Sequence, residues 1–355
     1  MDSQTVQKLP IIKHQIGKVP KTHTIEDSKE GWGDALTFGL KTWYSGGDIK
    51  FDYSKIRPAG ARLLTMGGQS SGPDPLRALL DFARVKILSR QGKRLTNLDV
   101  HDIICKIGEV VVMGGVRRSA LISLSDLDDR EMRHAKEGQF YLFEPQRQMA
   151  NNSAVYNKKP STAEFMEEWL ALAKSGTGER GIFNRAGLKH QLPERRWKLF
   201  KKHFQTSGTN PCGEIVLRSK QFCNLSEVIC RAEDTKQTLL RKVRLATILG
   251  TYQSSLTRFP YLSKEWKQNC EEERLLGVSL TGQWDCPAVR DVKTLKALNE
   301  KAIEVNKKYA KKFGINASTC ISCVKPSGTV SQLVDAASGM HPRHAEYYIR
   351  RVRIS

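Results

Sequence analysis

The sequence predicts an α/β protein in which parallel strands alternate with amphipathic helices. Short apolar or β-branched runs recur between segments whose apolar residues return every three or four positions. Helix-starting and helix-stopping residues bracket those segments, and no repeat or linker-like stretch divides the chain. Strands separated by helices favour a parallel sheet. A chain of 355 residues can bury a large core, and one domain is expected.

Taken in order, residues 1–25 read as an irregular or partly extended lead-in. Glu26-Asp27-Ser28 supplies capping oxygens for a helix to about Ser45, with Trp32, Leu36 and Leu40 on one face. A strand is expected at Ile49–Ile56. A glycine-rich loop follows from Arg57 to Pro73 and includes Arg62, Gly67 and Gly68. Pro73 and Pro75 open a helix to about Ser89, because proline is tolerated where a helix has no partner for its first N–H groups. Asn97-Leu98-Asp99 is read as the cap of the next helix, whose Val100, Ile103, Ile104 and Ile107 share a face before the stop at Gly114-Gly115. Leu121–Leu124 reads as a buried strand. Amphipathic helices are expected at about 161–175, 237–256 and 292–313. Ser318–Val324 reads as a short strand entering Lys325-Pro326-Ser327, and Glu346–Ile354 alternates like a last strand.

Composition narrows the function classes. The hydrophobic content of 39% and charged content of 27% are those of a globular protein. No run is long and apolar enough for a membrane span, and Met1–Lys8 does not resemble a signal peptide. Eight irregularly spaced cysteines point to functional or buried thiols in a reducing, cytoplasmic setting. The excess of 58 Lys+Arg over 37 Asp+Glu gives +21, which favours anionic partners such as nucleotide phosphates. The charge is spread along the chain without a basic tail or an aromatic-basic pattern, so no nucleic-acid partner is assigned. No metal site is assigned either, since Pro342 separates His341 from His344 and no partner ligands accompany them. Cys320 and Cys323 have redox-motif spacing but lie in an expected strand, where structural roles prevail. Asp99-Val100-His101 reads as part of a plain amphipathic helix.

The chemistry concentrates in Asn210-Pro211-Cys212-Gly213-Glu214, with Cys223 a short excursion away. In an extended segment, alternate residues face one side. Asn210, Cys212 and Glu214 would then offer one ligand an amide, a redox-active sulfur and a general base. Pro211 and Gly213 favour a strained tip over a regular strand. A polar loop with a buried cysteine remains the plainer alternative on this segment alone. Pro326-Ser327-Gly328-Thr329-Val330-Ser331 follows a strand and offers successive N–H groups and three hydroxyls to an anion, as a merely capped turn would. Gly115-Val116-Arg117-Arg118-Ser119 pairs flexible backbone with two guanidinium groups suited to phosphates or bases; exposed arginines after a helix end are the alternative.

Together these segments resemble the catalytic subunit of ribonucleotide reductase. The wording of Asn210–Ile215, Gly178–Arg185, Gly114–Ala120 and Val324–Ser331 is similar to the class II, adenosylcobalamin-dependent branch. The resemblance runs from about Glu26 to the last residue. It implies a ten-stranded α/β barrel with a finger loop inside, of which residues 26–120 would supply effector and substrate loops and 121–355 the catalytic part. It further implies that Cys212 carries a thiyl radical, Glu214 is the general base, Asn210 binds substrate hydroxyls and Cys223 is one member of a redox pair. Pro326–Ser331 would hold substrate phosphates. Gly115–Ser119 and the loop containing Arg62, Gly67 and Gly68 would read the base and effector. The implied cofactor is adenosylcobalamin, and the implied partners are a ribonucleotide, a deoxynucleoside triphosphate effector and a thioredoxin-like reductant.

Two departures accompany the resemblance. The second redox cysteine of the family, on an early barrel strand, has no counterpart here, and the family chain continues beyond the final basic strand. The expectation is a central fragment lacking the first and last barrel segments, inactive until complementing reductase segments are supplied. A class I large subunit and a basic nucleic-acid-binding protein are the rival readings.

Overall fold

A computed structural model describes residues 3–17, 20–63, 68–111 and 119–349. The chain forms two compact units that meet in sequence at Asn184 and Arg185, where composition marks no linker.

The first unit begins with β1 (Lys21–Thr24), which pairs in parallel with β2 (Ile49–Asp52). The helix between them, Lys29–Tyr44, starts where Ser28 Oγ accepts the Gly31 N–H at 3.0 Å. Helices Asp74–Leu88 and Asn97–Val111 follow. The cap of the latter is Thr96, not Asn97: the Thr96 N–H donates to Asp99 Oδ2 at 2.9 Å and the Asp99 N–H to Thr96 Oγ1 at 3.3 Å. Such a reciprocal pair satisfies two otherwise orphaned donors. Trp43, Leu76, Leu80, Ala83, Ile87 and Ile103 form this unit's core. A second sheet runs β3 (Leu121–Asp126), β4 (Ala150–Val155) and β5 (Gly181–Phe183), all parallel. The expected apolar strand proves to bury its serines: Ser123 and Ser125 are buried while Leu121, Ile122 and Leu124 are half-buried. The reason is a polar core, in which buried Arg180 donates to Ser125 Oγ at 2.7 Å and pairs with Glu168.

The second unit is built on β8 (Leu225–Ile229) and β9 (Gly277–Thr281), which are parallel, preceded by a small antiparallel hairpin of β6 (Gly208–Thr209) and β7 (Val216–Leu217). Helix Lys236–Gln253 follows β8 and helix Val292–Phe313 follows β9. Leu239, Val243, Leu298 and Ala302 from these helices bury against Val228, Val278 and Ile321. Ser318–Val324 is extended but makes only one parallel bridge, Val278 to Ser322. Its start is diverted: the Ser318 N–H donates to buried Asn306 Oδ1 at 2.9 Å and the Thr319 N–H to the Glu273 carbonyl at 3.0 Å. Its end meets Pro326, which has no N–H for a ladder. Residues 346–349 form no strand, and the remainder of the expected last strand, like Gly67 and Gly115–Arg118, lies outside the described residues.

A buried ionic knot ties these pieces together. Glu273, fully buried at the end of helix Lys264–Glu273, lies 3.1 Å from Arg196 and 3.2 Å from Arg218, and accepts from Gln221 Nε2 at 2.6 Å. Arg196 also donates to the Val216 carbonyl of β7 at 2.6 Å. Removing one partner of a buried pair strands the others at about 3–5 kcal/mol. Glu273→Ala should therefore lower the chain's stability by about 3–5 kcal/mol in denaturant titration, and a loss no larger than that of a surface glutamate would contradict this.

The first unit carries a pH dependence of its own. Burial, above all, pushes His101 down to about 4, so it folds neutral beside Cys105. An unfolded histidine titrates near 6.5, so between about 4 and 6.5 the unfolded chain binds the extra proton and stability rises with pH. The wild-type melting temperature should fall as pH drops through this window, by the equivalent of up to about 3 kcal/mol, and His101→Gln should flatten that dependence.

Candidate active site

The finger segment is a hairpin tip rather than an extended run. β6 and β7 pair antiparallel, and Asn210–Ile215 closes the turn between them. Asn210 is largely responsible: its N–H donates to the Ile215 carbonyl at 3.0 Å, its Oδ1 accepts the Ile215 N–H at 2.9 Å, and its carbonyl accepts the Gly213 N–H. Gly213 takes φ +82°, a left-handed conformation that glycine adopts without strain. Asn210 is buried and pins the turn, so the expected common face of Asn210, Cys212 and Glu214 does not form as an alternating strand would make it. The tip instead presents Cys212 and Glu214.

These two residues line a cavity of about 310 Å3 with Gly213, Val324, Lys325, Pro326, Met340 and His341. Two motifs more than a hundred residues apart in sequence therefore share one wall. The Glu214 side chain is only 3% exposed, yet neither carboxylate oxygen has a hydrogen-bond partner. The Lys325 ammonium lies 3.8 Å from Oε1, an ion-pair distance too long for a hydrogen bond. Cys212 is exposed.

The Lys325–Ser331 loop is held by residues that sequence reading passed over. Gly339, at φ +56°, packs so closely that a Cβ there would stand 2.8 Å from the Lys325 carbonyl oxygen. Ser338 Oγ donates to the Ser327 carbonyl, and the Gly339 N–H donates to Thr281 Oγ1 of β9 at 2.9 Å. Met340 and His341 follow directly into the cavity wall. The only hint in the sequence was His341, weighed there as a metal ligand. No metal-binding cluster of His, Cys, Asp or Glu exists among the described residues.

Of the loop's three hydroxyls, two are turned away from solvent. Ser327 is fully buried with no partner for its Oγ, and Ser331 is buried with its Oγ donating to the Ser327 and Gly328 carbonyls. Thr329 and Val330 are exposed and begin a short helix, Thr329–Leu333, capped by Gly328.

Cys223 lines a different cavity, of about 250 Å3, with Phe222, Cys270 and Arg274 among others. It remains within electrostatic reach of the finger: although Cys223 retains exposed surface, packing around its sulfur and then the Glu214 charge raise its thiol pKa. Cys323 responds in the same way, pushed up to about 12 by burial first and by Glu214 second. Both sulfurs are therefore held as thiols near neutral pH.

Comparison with known proteins shows what the chain is similar to. The adenosylcobalamin-dependent ribonucleoside-triphosphate reductase of Lactobacillus delbrueckii subsp. bulgaricus is 29% identical over 371 residues, 93% of this chain and 49% of that protein. Those of Lactobacillus acidophilus and Euglena gracilis are 30% and 29% identical over the same share of this chain, covering 48% and 45% of their own lengths. A B-12-dependent class II ribonucleotide reductase crystal structure superposes with a TM-score of 0.71 at 25% identity, over 96% of this chain and 51% of that one. This chain is similar to class II ribonucleotide reductases.

No family model matches it. The Actinobacillus ureae class Id ribonucleotide reductase alpha subunit shares the fold, with a TM-score of 0.53 at 15% identity, over 95% of this chain and 64% of that one. The chain spans about half the length of the curated proteins it matches. Its fold is an α/β fold of the reductase type, although its described strands form four small separate sheets. No helix among the described residues is long and apolar enough to cross a membrane.

The remaining site residues fall in the first unit. Arg62 bridges antiparallel to Gln69, and Gly68, at φ +83°, accepts the Leu63 N–H. Ser119 lies just before β3.

The close approach at Gly339 can be tested. Gly339→Ala combines a left-handed backbone with a clash against a carbonyl, and should destabilise the chain by about 1–3 kcal/mol in denaturant titration. An unchanged midpoint would show that the turn is not packed against Lys325 as described.

Proposed function

We propose that this chain carries the catalytic part of a class II ribonucleotide reductase, reducing ribonucleotides to deoxyribonucleotides by thiyl-radical chemistry. The observation that carries the reading is the single cavity shared by Cys212, Glu214, Lys325 and Pro326, since it unites a sulfur, a base and an anion-facing loop around a nucleotide-sized space. Together with flanking segments, the chain would supply part of a ten-stranded barrel, with residues 26–120 contributing the effector and substrate loops and 121–355 the catalytic part.

In this reading Cys212 carries the radical and removes the 3′ hydrogen of the ribose. Glu214 takes the 3′-OH proton; its near-complete burial strengthens that interaction because little water competes. Asn210 contributes by fixing the turn through its Oδ1, which leaves its Nδ2 as the group for the substrate hydroxyls. The exposed N–H and hydroxyl of Thr329, with the backbone from Pro326 to Ser331, receive the phosphates. Cys223 supplies reducing equivalents as one member of a dithiol, and its raised pKa suits a sulfur that must present S–H rather than thiolate. Arg62, Gly67, Gly68 and Gly115–Ser119 read the base and a deoxynucleotide effector, and a thioredoxin-like protein restores the dithiol.

The fit to the cofactor, among the described residues, rests on Cys212: its exposure leaves the sulfur open to a group seated outside a cavity too small for a corrin. Adenosylcobalamin, when bound, supplies the initiating radical. Among the described residues the chain offers it a reaction partner and no cradle.

The test uses the full chain, with and without the relatives' flanking segments supplied in trans, given a ribonucleoside triphosphate, adenosylcobalamin and a dithiol. Deoxyribonucleotide should form in a cobalamin-dependent way, vanish with Cys212→Ser and fall about 10²–10⁴-fold with Glu214→Gln. Product from the Cys212→Ser chain would overturn the reading, and cobalamin-independent turnover would move it to class I.

A further inference from the structure

Cys223 stands between two environments. On one side the Glu214 charge reaches its thiol, and on the other it lines the cavity of about 250 Å3 whose wall also carries Cys270. The two sulfurs come from distant parts of the chain. Cys223 lies just ahead of β8, and Cys270 belongs to helix Lys264–Glu273.

The segment before Cys223 is laid along that helix. Asn269 Nδ2 donates to the Ser219 carbonyl at 2.9 Å and to the Lys220 carbonyl at 3.1 Å. Gln221 Nε2 donates to Glu273 Oε2 at 2.6 Å and to the Asn269 carbonyl at 3.3 Å. The Phe222 ring meets that of Trp266, with centroids 4.7 Å apart. Trp266, Asn269, Cys270 and Glu273 follow the spacing i, i+3, i+4, i+7, so they share one helix face. Every residue from Ser219 to Phe222 is matched to that face, and the next residue is Cys223. Cys270 sits between the Asn269 and Glu273 contacts, and the Phe222 N–H acts on its sulfur.

Cys323 also lies near Cys223 but is worse placed to bond with it. Its N–H donates to the Val278 carbonyl at 3.1 Å, and Ser322 bridges Val278 on the edge of β9 opposite β8. Two strand spacings, about 9.5 Å together, separate that segment from β8. Disulfide-bonded cysteines have Cα atoms within about 7 Å.

We propose that Cys223 and Cys270 form a reversible dithiol–disulfide pair, Cys270 being the second thiol behind the reducing equivalents that Cys223 supplies. The task given to the pair rests on the reductase reading; the disulfide itself does not. On oxidation two S–H bonds break and one S–S bond forms, releasing two protons and two electrons. A ribonucleotide accepts them: its 2′-OH leaves as water and C2′ gains a hydrogen in its place. An external dithiol restores the pair by exchange and becomes a disulfide itself. Burial, above all, raises both thiols, so both rest protonated near neutral pH.

The experiment is thiol trapping on the full chain. The protein is equilibrated with oxidised glutathione, its free thiols are blocked with N-ethylmaleimide, and it is cleaved after Lys, Arg and Glu, which separates Cys223 from Cys230. Mass spectrometry should find the Cys223–Cys270 disulfide at least about tenfold above every other pairing of Cys223, because proximity acts as effective concentration. Denaturant present during the oxidation should remove that excess. Cys223 paired mainly with Cys212 or Cys323, held mainly as its glutathione adduct, or left mainly free overturns the proposal. A folded Cys270→Ser chain should instead carry at least about tenfold more glutathione on Cys223 than the wild type, and no increase overturns the proposal. The wild-type arm needs no variant and decides the matter where Cys270→Ser does not fold. Trapping uses neither nucleotide nor cobalamin, so its failure is separate from that of the reductase reading, which product formation by the Cys212→Ser chain decides.

Discussion

The position of the Asn210–Ile215 hairpin depends on Glu273. Its carboxylate lies against Arg196 and Arg218, its backbone carbonyl takes the Thr319 N–H, and Arg196 passes the constraint to the Val216 carbonyl of β7. One buried anion thus sets the base of the finger and the start of the segment that ends in Lys325. An apolar cluster of equal volume would bury more cheaply, but apolar contacts are non-directional and would leave the two segments free to slide. Two guanidinium groups and an amide around one carboxylate, with a backbone N–H on the carbonyl of the same residue, admit few arrangements. Polar burial here serves register rather than raw stability.

The same logic inverts at the cavity. Around Glu273 every carboxylate oxygen is met; around Glu214 neither is. A fully satisfied carboxylate is a poor base, because its lone pairs are already committed. An unsatisfied buried one is costly, and it persists only if the surroundings over-determine its place. Asn210 closing the turn, Gly213 in the left-handed region and the Glu273 knot beneath provide that determination. The raised pKa values of Cys223 and Cys323 follow from the same charge and the same dryness.

Much of this was legible in the chain. Helices with caps and strong periodicity stand close to where they were expected, as at Ser28 for Lys29–Tyr44 and at Val292–Phe313, because capping and amphipathic spacing are local physics. Strands were less legible. β4, Ala150–Val155, is half polar and borders a buried arginine network, while β8 and β9 carry serine, glutamate and threonine where an apolar run would announce a parallel strand. Ser318–Val324 was read as a full strand because its residues favour one; the side chain of Asn306 and the carbonyl of Glu273, neither visible locally, claim its first N–H groups. The Thr96 cap was missed by a single residue, since Asn97 is itself a good capping type.

At the site, residue types were legible and their directions were not. Alternation placed Asn210 with Cys212 and Glu214, but a six-residue hairpin tip obeys turn geometry instead of strand periodicity. Three hydroxyls in Pro326–Ser331 looked equivalent, and packing buries two of them. Most telling is the Ser338–His341 turn. Its sequence has no catalytic motif, yet Gly339 allows the backbone of one turn to touch that of another, and so brings Met340 and His341 to the cavity that Cys212 and Glu214 also line. Motifs identify the groups that react. The cavity that makes them act together is shaped by the glycine, serine and threonine that hold two loops at contact distance, and those become visible only when the chain is folded.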